Sequence, residues 1–506
     1  MRVVIAGGGS AGWMTAAYLS KKLPTKHYSI TLIESTDIGS VGVGEATLPH
    51  LRAFNSSLGI SEDEFIRSTQ ATFKLGIAFD GWSHSDASYI HPFGQQGEAL
   101  GGIPFHHFYK AALDRGIIKD KRATFDSYSY GVNLARAKAF HKPAREGASS
   151  RFSYAYHVDS ARYARFLRQY AEDRNVERME GKIVDVTLAG SEQIGSIVLE
   201  SGHAITGDLF IDCSGFRSLL LNKALQAKFT SWSEYLPCNR AYAAQTEHLD
   251  DSSIRPYSIA TRRQAGWQWQ IPLQHRMGNG YVFSDSFTNE ESALEEFEAN
   301  LGAKRITDIK KLSFEAGYYA KPWTGNCVAI GLAGGFLEPL ESTSLFLIQY
   351  AVERLLEEWP SQDVMFAQSN RQRFNSDIQA EFENIRDFLV LHYRATGSDP
   401  TDTSDFWRHM QSMSLPDSLQ QKLDNYQQFG VIPHSAQRLF KDESWTAVLL
   451  GQEQLDFKAD SRATAISDSE LQKIIDYAAS ISAPDLAKIP SHTDYMRKHF
   501  SMARSL

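Results

Sequence analysis

Cysteine is scarce, with three in 506 residues. Three cysteines cannot build a disulfide framework, and their scarcity fits a reducing compartment. Long apolar runs are also missing. The longest nearly uncharged ones, Cys327–Leu337 and Leu345–Val352, fall well short of the roughly 18 residues that suggest a spanning helix. The N-terminal apolar run ends in three glycines after about five residues, too short for a signal-peptide core. Basic residues are in the minority. Lys plus Arg is 52, Asp plus Glu is 60, and the net charge is −8. With no basic tract, nucleic acid is not an expected partner. No internal repeat or low-complexity tract is present. A chain that is 42% hydrophobic and 22% charged is neither disordered, collagen-like nor coiled-coil. These absences leave a globular, cytoplasmic protein with no membrane segment.

The first 34 residues form a compact unit. Val3-Val4-Ile5-Ala6 reads as a strand buried on both faces. Gly7-x-Gly9-x-x-Gly12 follows, Trp13–Lys22 reads as a helix, and Ser29–Ile33 as a second strand with Glu34 at its end. This is the order a dinucleotide fingerprint requires. Gly7 permits the tight turn, Gly9 lets a pyrophosphate approach the backbone, and Gly12 lets helix and strand pack closely. The helix start at Ser10-Ala11 offers unpaired N–H groups to phosphate, and Glu34 is placed to hold ribose hydroxyls.

Asp208–Asp212, closed by Cys213-Ser214-Gly215, and Val328–Ile330, closed by Gly331 and Gly334-Gly335, read as later strands of the same sheet. Flavoproteins of this architecture approach the ribityl chain and isoalloxazine with such strand ends, which favours FAD over NAD. Asp159-Ser160 reads as a helix N-cap. After Ser344 comes a largely apolar helix, Leu345–Leu356. From about residue 360 the pattern is mostly helical, with Ile378, Phe382, Ile385, Phe388 and Leu389 on one face. The expected class is α/β: an FAD-binding, Rossmann-like, monooxygenase-like fold with an interleaved substrate region and a mostly helical C-terminal part. Residues 1–360 are expected to form the FAD-binding core, with insertions at about 75–150 and 225–320. Residues 361–506 are expected to complete the substrate site.

Further motifs converge. Trp267-Gln268-Trp269-Gln270-Ile271-Pro272 is a WxWxIP sequence. Gly42-Val43-Gly44-Glu45-Ala46-Thr47 follows the second strand. Ala71-Thr72-Phe73-Lys74-Leu75-Gly76 carries a lysine in an otherwise apolar stretch. Phe336-Leu337-Glu338-Pro339-Leu340-Glu341-Ser342-Thr343-Ser344 is an FxxPxxSxx segment. Together with the N-terminal fingerprint, these motifs resemble the flavin-dependent halogenases of the tryptophan halogenase branch, from Met1 to about Gly451.

The resemblance implies a mechanism and assigns roles. Reduced FAD from a separate flavin reductase reacts with oxygen and halide to give hypohalous acid. The acid passes through a tunnel to a second site and halogenates an electron-rich aromatic ring. Lys74 matches the catalytic lysine that binds hypohalous acid, and Glu341 the active-site glutamate, with Glu338 its confusable neighbour. Thr343 and Ser344 stand where the family binds halide. Glycine is usual at Ser344, so both chloride and bromide remain open, with bromide a candidate for the preferred ion. Gly42, Gly44, Glu45, Ala46, Gly331 and Leu337 join the cofactor contacts. Trp267, Trp269, Ile271, Pro272 and Ser342 are the diagnostic tunnel residues. His91, Pro92 and Phe93 resemble the segment that sandwiches the substrate ring.

Trp445, in Asp442-Glu443-Ser444-Trp445, is the best counterpart of the amino-acid clamp. It lacks a tyrosine pair, and its acidic neighbours would repel a carboxylate, so free tryptophan is not the expected substrate. An indole, pyrrole, phenol or carrier-bound ring remains open. His106-His107 lack metal-pair spacing, and no metal is expected. Family members are often homodimers. Two alternatives stand beside this reading: a flavin-dependent aromatic monooxygenase and a non-catalytic FAD-binding protein.

Overall fold

The computed structural model describes residues 1–38, 44–84, 86–119, 124–144, 150–250, 254–359, 367–395, 404–433 and 438–500. Gly42 lies outside them. The chain divides into two compact units.

The first unit comprises residues 1–71, 158–239 and 313–383. Its centre is a six-stranded sheet in the order Trp323–Thr324, Cys327–Ala329, Leu209–Asp212, Arg2–Ala6, Ser29–Glu34, Val176–Glu180. All neighbours run parallel except the short edge strand Trp323–Thr324. Ile5 sits between Ile211 and Leu32. Both faces of the central strands are covered, which is why they are written as continuous apolar runs. On one face, Val4, Ala6, Phe210 and Cys327 pack with Ile194, Ile197, Leu199 and Ile205 of a three-stranded antiparallel sheet. The helix Ser10–Lys22 packs against the helices Ser160–Glu172 and Ser344–Glu357. Asp159 caps the helix Ser160–Glu172, its carboxylate accepting from the Arg162 N–H at 3.0 Å.

The second unit comprises residues 72–157, 240–312 and 384–506. Its sheet has seven strands, in the order Lys310–Ser313, Arg240–Thr246, Met277–Phe283, Gly266–Pro272, Ser258–Arg263, Gly76–Asp80, Ser88–Pro92. Ser258–Arg263 and Gly76–Asp80 run parallel. A separate strand, Thr72–Lys74, pairs antiparallel with Ala155–Val158. The C-terminal part is helical, with Asp405–Ser412, Asp417–Phe429, Asp442–Gly451, Asp468–Ser482 and His492–Phe500. The expected face Ile378, Phe382, Ile385, Phe388 and Leu389 lies buried on the helix Gln368–Arg394. Among the described residues no helix is long and apolar enough to cross a membrane.

Candidate active site

The glycine loop follows the strand Arg2–Ala6 and opens the helix Ser10–Lys22, as the fingerprint spacing predicts. Gly7 has φ +115° and donates its N–H to the Ile33 carbonyl at 2.8 Å. A Cβ on Gly7 would fall 2.3 Å from the Cys213 carbonyl oxygen, so only glycine suits both the angle and the space. A Cβ on Gly12 would fall 1.8 Å from the Gly7 carbonyl oxygen. A Cβ on Gly9 would meet nothing within 4 Å. The helix start at Ser10-Ala11 carries no side-chain cap, so its first N–H groups point at the space beside Gly9.

Glu34 ends the second strand and turns back over the loop. Its carboxylate takes the place a side chain on Gly8 would need, with Oε2 only 1.7 Å from where that Cβ would sit. Trp13 donates its indole N–H to Glu34 Oε2 at 3.2 Å, and Arg178 donates Nε–H to Oε1 at 2.5 Å. Gly8 and Arg178 are therefore positioning elements that the fingerprint alone does not name. Gly331, in the turn that follows the strand Cys327–Ala329, reaches the same place, where a Cβ would fall 2.9 Å from the Ala11 Cβ. Leu337 is buried in the same unit. Glu45 and Ala46, after Gly44, form a short strand, and burial pushes the Glu45 carboxyl up to about 7. Asp212 ends the strand Leu209–Asp212. It accepts from the N–H groups of Ser214, Leu220 and Leu221 and from the Ser214 hydroxyl. Burial raises its pKa against those bonds.

The FxxPxxSxx segment forms a short turn, Pro339–Glu341, followed by the helix Ser344–Glu357. Glu338 and Glu341 are both buried. Ser342 holds φ +61°, a left-handed conformation that costs a non-glycine residue about 1 kcal/mol or more. That turn leaves the helix start at Thr343 without a side-chain cap. Thr343 is fully buried, and its Oγ1 has no hydrogen-bond partner among the described residues. Backbone N–H groups and one hydroxyl thus form an anion-type donor set.

In the second unit Lys74 ends the strand Thr72–Lys74 with 0% of its surface exposed. Its Nζ lies 5.2 Å from the centre of the Phe93 ring, within cation–π range. The Phe93 N–H donates to the Leu75 carbonyl at 3.1 Å, which ties the two segments together. His91, buried, lies 5.7 Å from the Phe388 ring and 6.4 Å from Phe440. Phe388 stacks on Phe440 at 3.9 Å and meets Trp445 edge-on at 5.0 Å. Trp445 is 1% exposed, and Lys422 Nζ, held by Asp387, sits 5.0 Å from its ring centre. His91 and Trp445 are thus joined through Phe388. Phe388 and Phe440 complete the cluster, and no local pattern marks Phe440.

The WxWxIP residues occupy the strand Gly266–Pro272, with the Trp267 and Trp269 rings 6.0 Å apart and Ile271 and Pro272 buried beyond them. Trp269 Nε1 is buried without a hydrogen-bond partner among the described residues.

A family model described as tryptophan halogenase matches residues 2–468. The 7-chloro-L-tryptophan 6-halogenase of Kutzneria sp. (strain 744) is 34% identical over 540 residues, covering 98% of this chain and 99% of that protein. A flavin-dependent halogenase from Xanthomonas campestris has a TM-score of 0.93 at 40% identity, covering 100% of this chain and 99% of the other. Another, from Brevundimonas sp. BAL3, has a TM-score of 0.91 at 37% identity, covering 98% and 99%. The glycine cradle on this fold is that of a flavin-dependent enzyme, and the matched structures are halogenases. The chain belongs to the tryptophan halogenase family, for which FAD and a halide are the implied cofactors. The cradle fits FAD on its own geometry, through the open backbone at Gly9, the uncapped helix start and the carboxylate of Glu34.

Proposed function

We infer that this protein halogenates an electron-rich, indole-like aromatic ring, taking FADH2 from a separate flavin reductase. The observation that carries the reading is Lys74, a fully buried lysine whose Nζ is set against the Phe93 ring. Bound reduced flavin, with oxygen and halide, supplies hypohalous acid. Thr343 and Ser344 hold the halide with their N–H groups and the Thr343 hydroxyl. The serine in place of glycine adds a side chain and a second hydroxyl there, so chloride and bromide are both candidate ions, with bromide put forward as the preferred one. Lys74 donates a hydrogen bond to the oxygen of hypohalous acid and makes its halogen more electrophilic. Glu341 assists by accepting the proton that the halogenated ring must lose. His91 and Phe93 orient the ring by stacking, with Pro92 and Trp445 shaping the cluster. Trp267, Trp269, Ile271, Pro272 and Ser342 are the proposed tunnel residues, by their match to the family's motifs.

The substrate is an aromatic ring other than free tryptophan. The helix carrying Trp445 begins with Asp442 and Glu443, which oppose a free carboxylate. The same reading includes the FAD core at 1–360, the completing region at 361–506, and a cytoplasmic homodimer. The test is a bromide-containing reaction with FAD, a reductase and NADH, followed by mass spectrometry over tryptophan, indole and phenols. Brominated indole with unmodified tryptophan is expected. Oxygen gain without bromine would overturn the halogenase reading, and bromotryptophan would overturn the substrate reading.

A further inference from the structure

The strand that ends in Lys74 has too little sheet around it to fix its own register. It is three residues long and pairs only with Ala155–Val158 among the described residues. What holds it is a set of side chains far away in sequence. The Phe73 N–H donates to His492 Nε2 at 3.3 Å, and His492 Nδ1–H donates to the Ile254 carbonyl at 2.8 Å. Thr72 donates its hydroxyl proton to the Pro272 carbonyl at 2.6 Å. With that proton spent, the 2.9 Å contact to His157 Nδ1 must have the ring donating to Thr72 Oγ1. His157 Nε2 is then the acceptor for the Ser258 hydroxyl at 3.0 Å. The Leu75 N–H donates to the Pro256 carbonyl at 2.7 Å.

Lys74 is therefore bracketed at 72, 73 and 75. One short segment, 254–258, takes a bond from each bracket: Ile254 from His492, Pro256 from Leu75, and Ser258 with His157. Both imidazoles must be neutral and of fixed tautomer for these bonds to exist. Their burial agrees. It holds His492 down at about 4 and His157 well below its ordinary value, with the Lys74 charge adding to the second shift. Strand alternation sends the Phe73 ring to the face opposite Lys74. There it stacks on Phe140 at 4.1 Å and meets Tyr495 and Phe500 at 5.7 and 5.9 Å. The helix His492–Phe500 thus grips the strand by both backbone and side chain. It lies beyond residue 468, where the family match ends.

We propose that His492 and His157, anchored on the segment 254–258, are positioning residues that fix the reach of the Lys74 ammonium. The proposal rests on Lys74 being the group that handles hypohalous acid. A buried strand N–H that loses its acceptor must find another or let water in. Either response shifts the lysine, and a displacement of about 1 Å at a reacting group can cost 100-fold in rate.

The test compares His492→Phe with His492→Gln in the full-length chain. Glutamine keeps an acceptor and a donor with the spacing of the two ring nitrogens, and phenylalanine keeps only the shape. Two quantities are read: hydrogen exchange at the Phe73 amide, and brominated indole formed per FADH2 oxidised. For His492→Phe, faster exchange and a fall in bromination per flavin of about 10- to 100-fold are expected at similar KM. His492→Gln is expected to recover most of both. If His492→Phe does not fold, Ser258→Ala removes only the donor to His157 and is expected to lower bromination per flavin without lowering flavin oxidation. Unchanged exchange at Phe73, phenylalanine and glutamine variants equal in bromination, or an unaffected Ser258→Ala would each overturn the clamp. Lys74→Ala run alongside separates the two levels. If it brominates normally, the role of Lys74 fails. If it is inactive while the clamp variants are normal, only the clamp fails.

Discussion

Trp269 lies flat across Gly280. The two residues are cross-strand partners, and a Cβ on Gly280 would fall 1.9 Å from Cζ2 of the indole. The glycine is there for space, since the ring covers the backbone where a side chain would stand. Trp267 follows at 6.0 Å, so the position of one ring bears on the other.

Gly280→Ala is therefore expected to lift the Trp269 ring or part the strands. Overpacking of this kind costs about 1–3 kcal/mol. Urea unfolding should show a lower midpoint with an unchanged slope, and tryptophan emission should change in the native state. An alanine variant as stable as the parent, with identical emission, would contradict this packing.

Gly8→Ala should act on the cofactor site and on the fold together. Its Cβ would displace the Glu34 carboxylate from the loop and disturb its bonds to Trp13 and Arg178. We expect FAD binding to weaken by about tenfold, near 1.4 kcal/mol, together with a loss of stability of about 1–3 kcal/mol, because the new Cβ would also fall 2.5 Å from the Glu34 Cβ. A fluorescence titration with FAD reads the first and calorimetry the second.

The buried histidines set a pH dependence. His492 titrates at about 4 in the folded protein against 6.5 when exposed. Between those values the unfolded chain binds a proton that the folded one does not, so stability rises with pH. The contribution is present above about 6.5 and is lost as pH falls through 4, with a size of order 3 kcal/mol. Compared with His492→Gln, the parent should lose stability more steeply from pH 6.5 to 4. Parallel curves would contradict a neutral His492.

Glu45 has the opposite sign. Its folded value is raised to about 7 by burial. The folded state holds that proton where the unfolded state has released it, so stability falls as pH climbs from about 4.5 to 7. In the flavin-free protein, Glu45→Gln should matter little at pH 4.5 and should stabilise at pH 8. Denaturant midpoints at the two pH values check this.

The nucleotide-binding end was legible because its signals are local. Val3–Ala6, the glycine spacing, the helix to Lys22 and Glu34 closing Ser29–Glu34 are consecutive in sequence, and each is fixed by the residue types themselves. The Asp159 cap and the helix after Ser344 were legible for the same reason. What surrounds Lys74 was not. Phe73 and His492 are 419 residues apart, and His157 and Ser258 are 101 apart. No periodicity joins such pairs. Their meeting is a product of the completed fold. The burial of Trp445 under Lys422 likewise depends on Asp387, whose own segment carries no sign of it.

The most direct measurement is the fate of hypohalous acid in Lys74→Ala. FADH2 oxidation and brominated indole would be followed together in the parent and the variant. The account expects flavin oxidation to continue while bromination falls by at least about 100-fold, the scale of a positioned proton donor. Bromination at the parent rate in Lys74→Ala would contradict it.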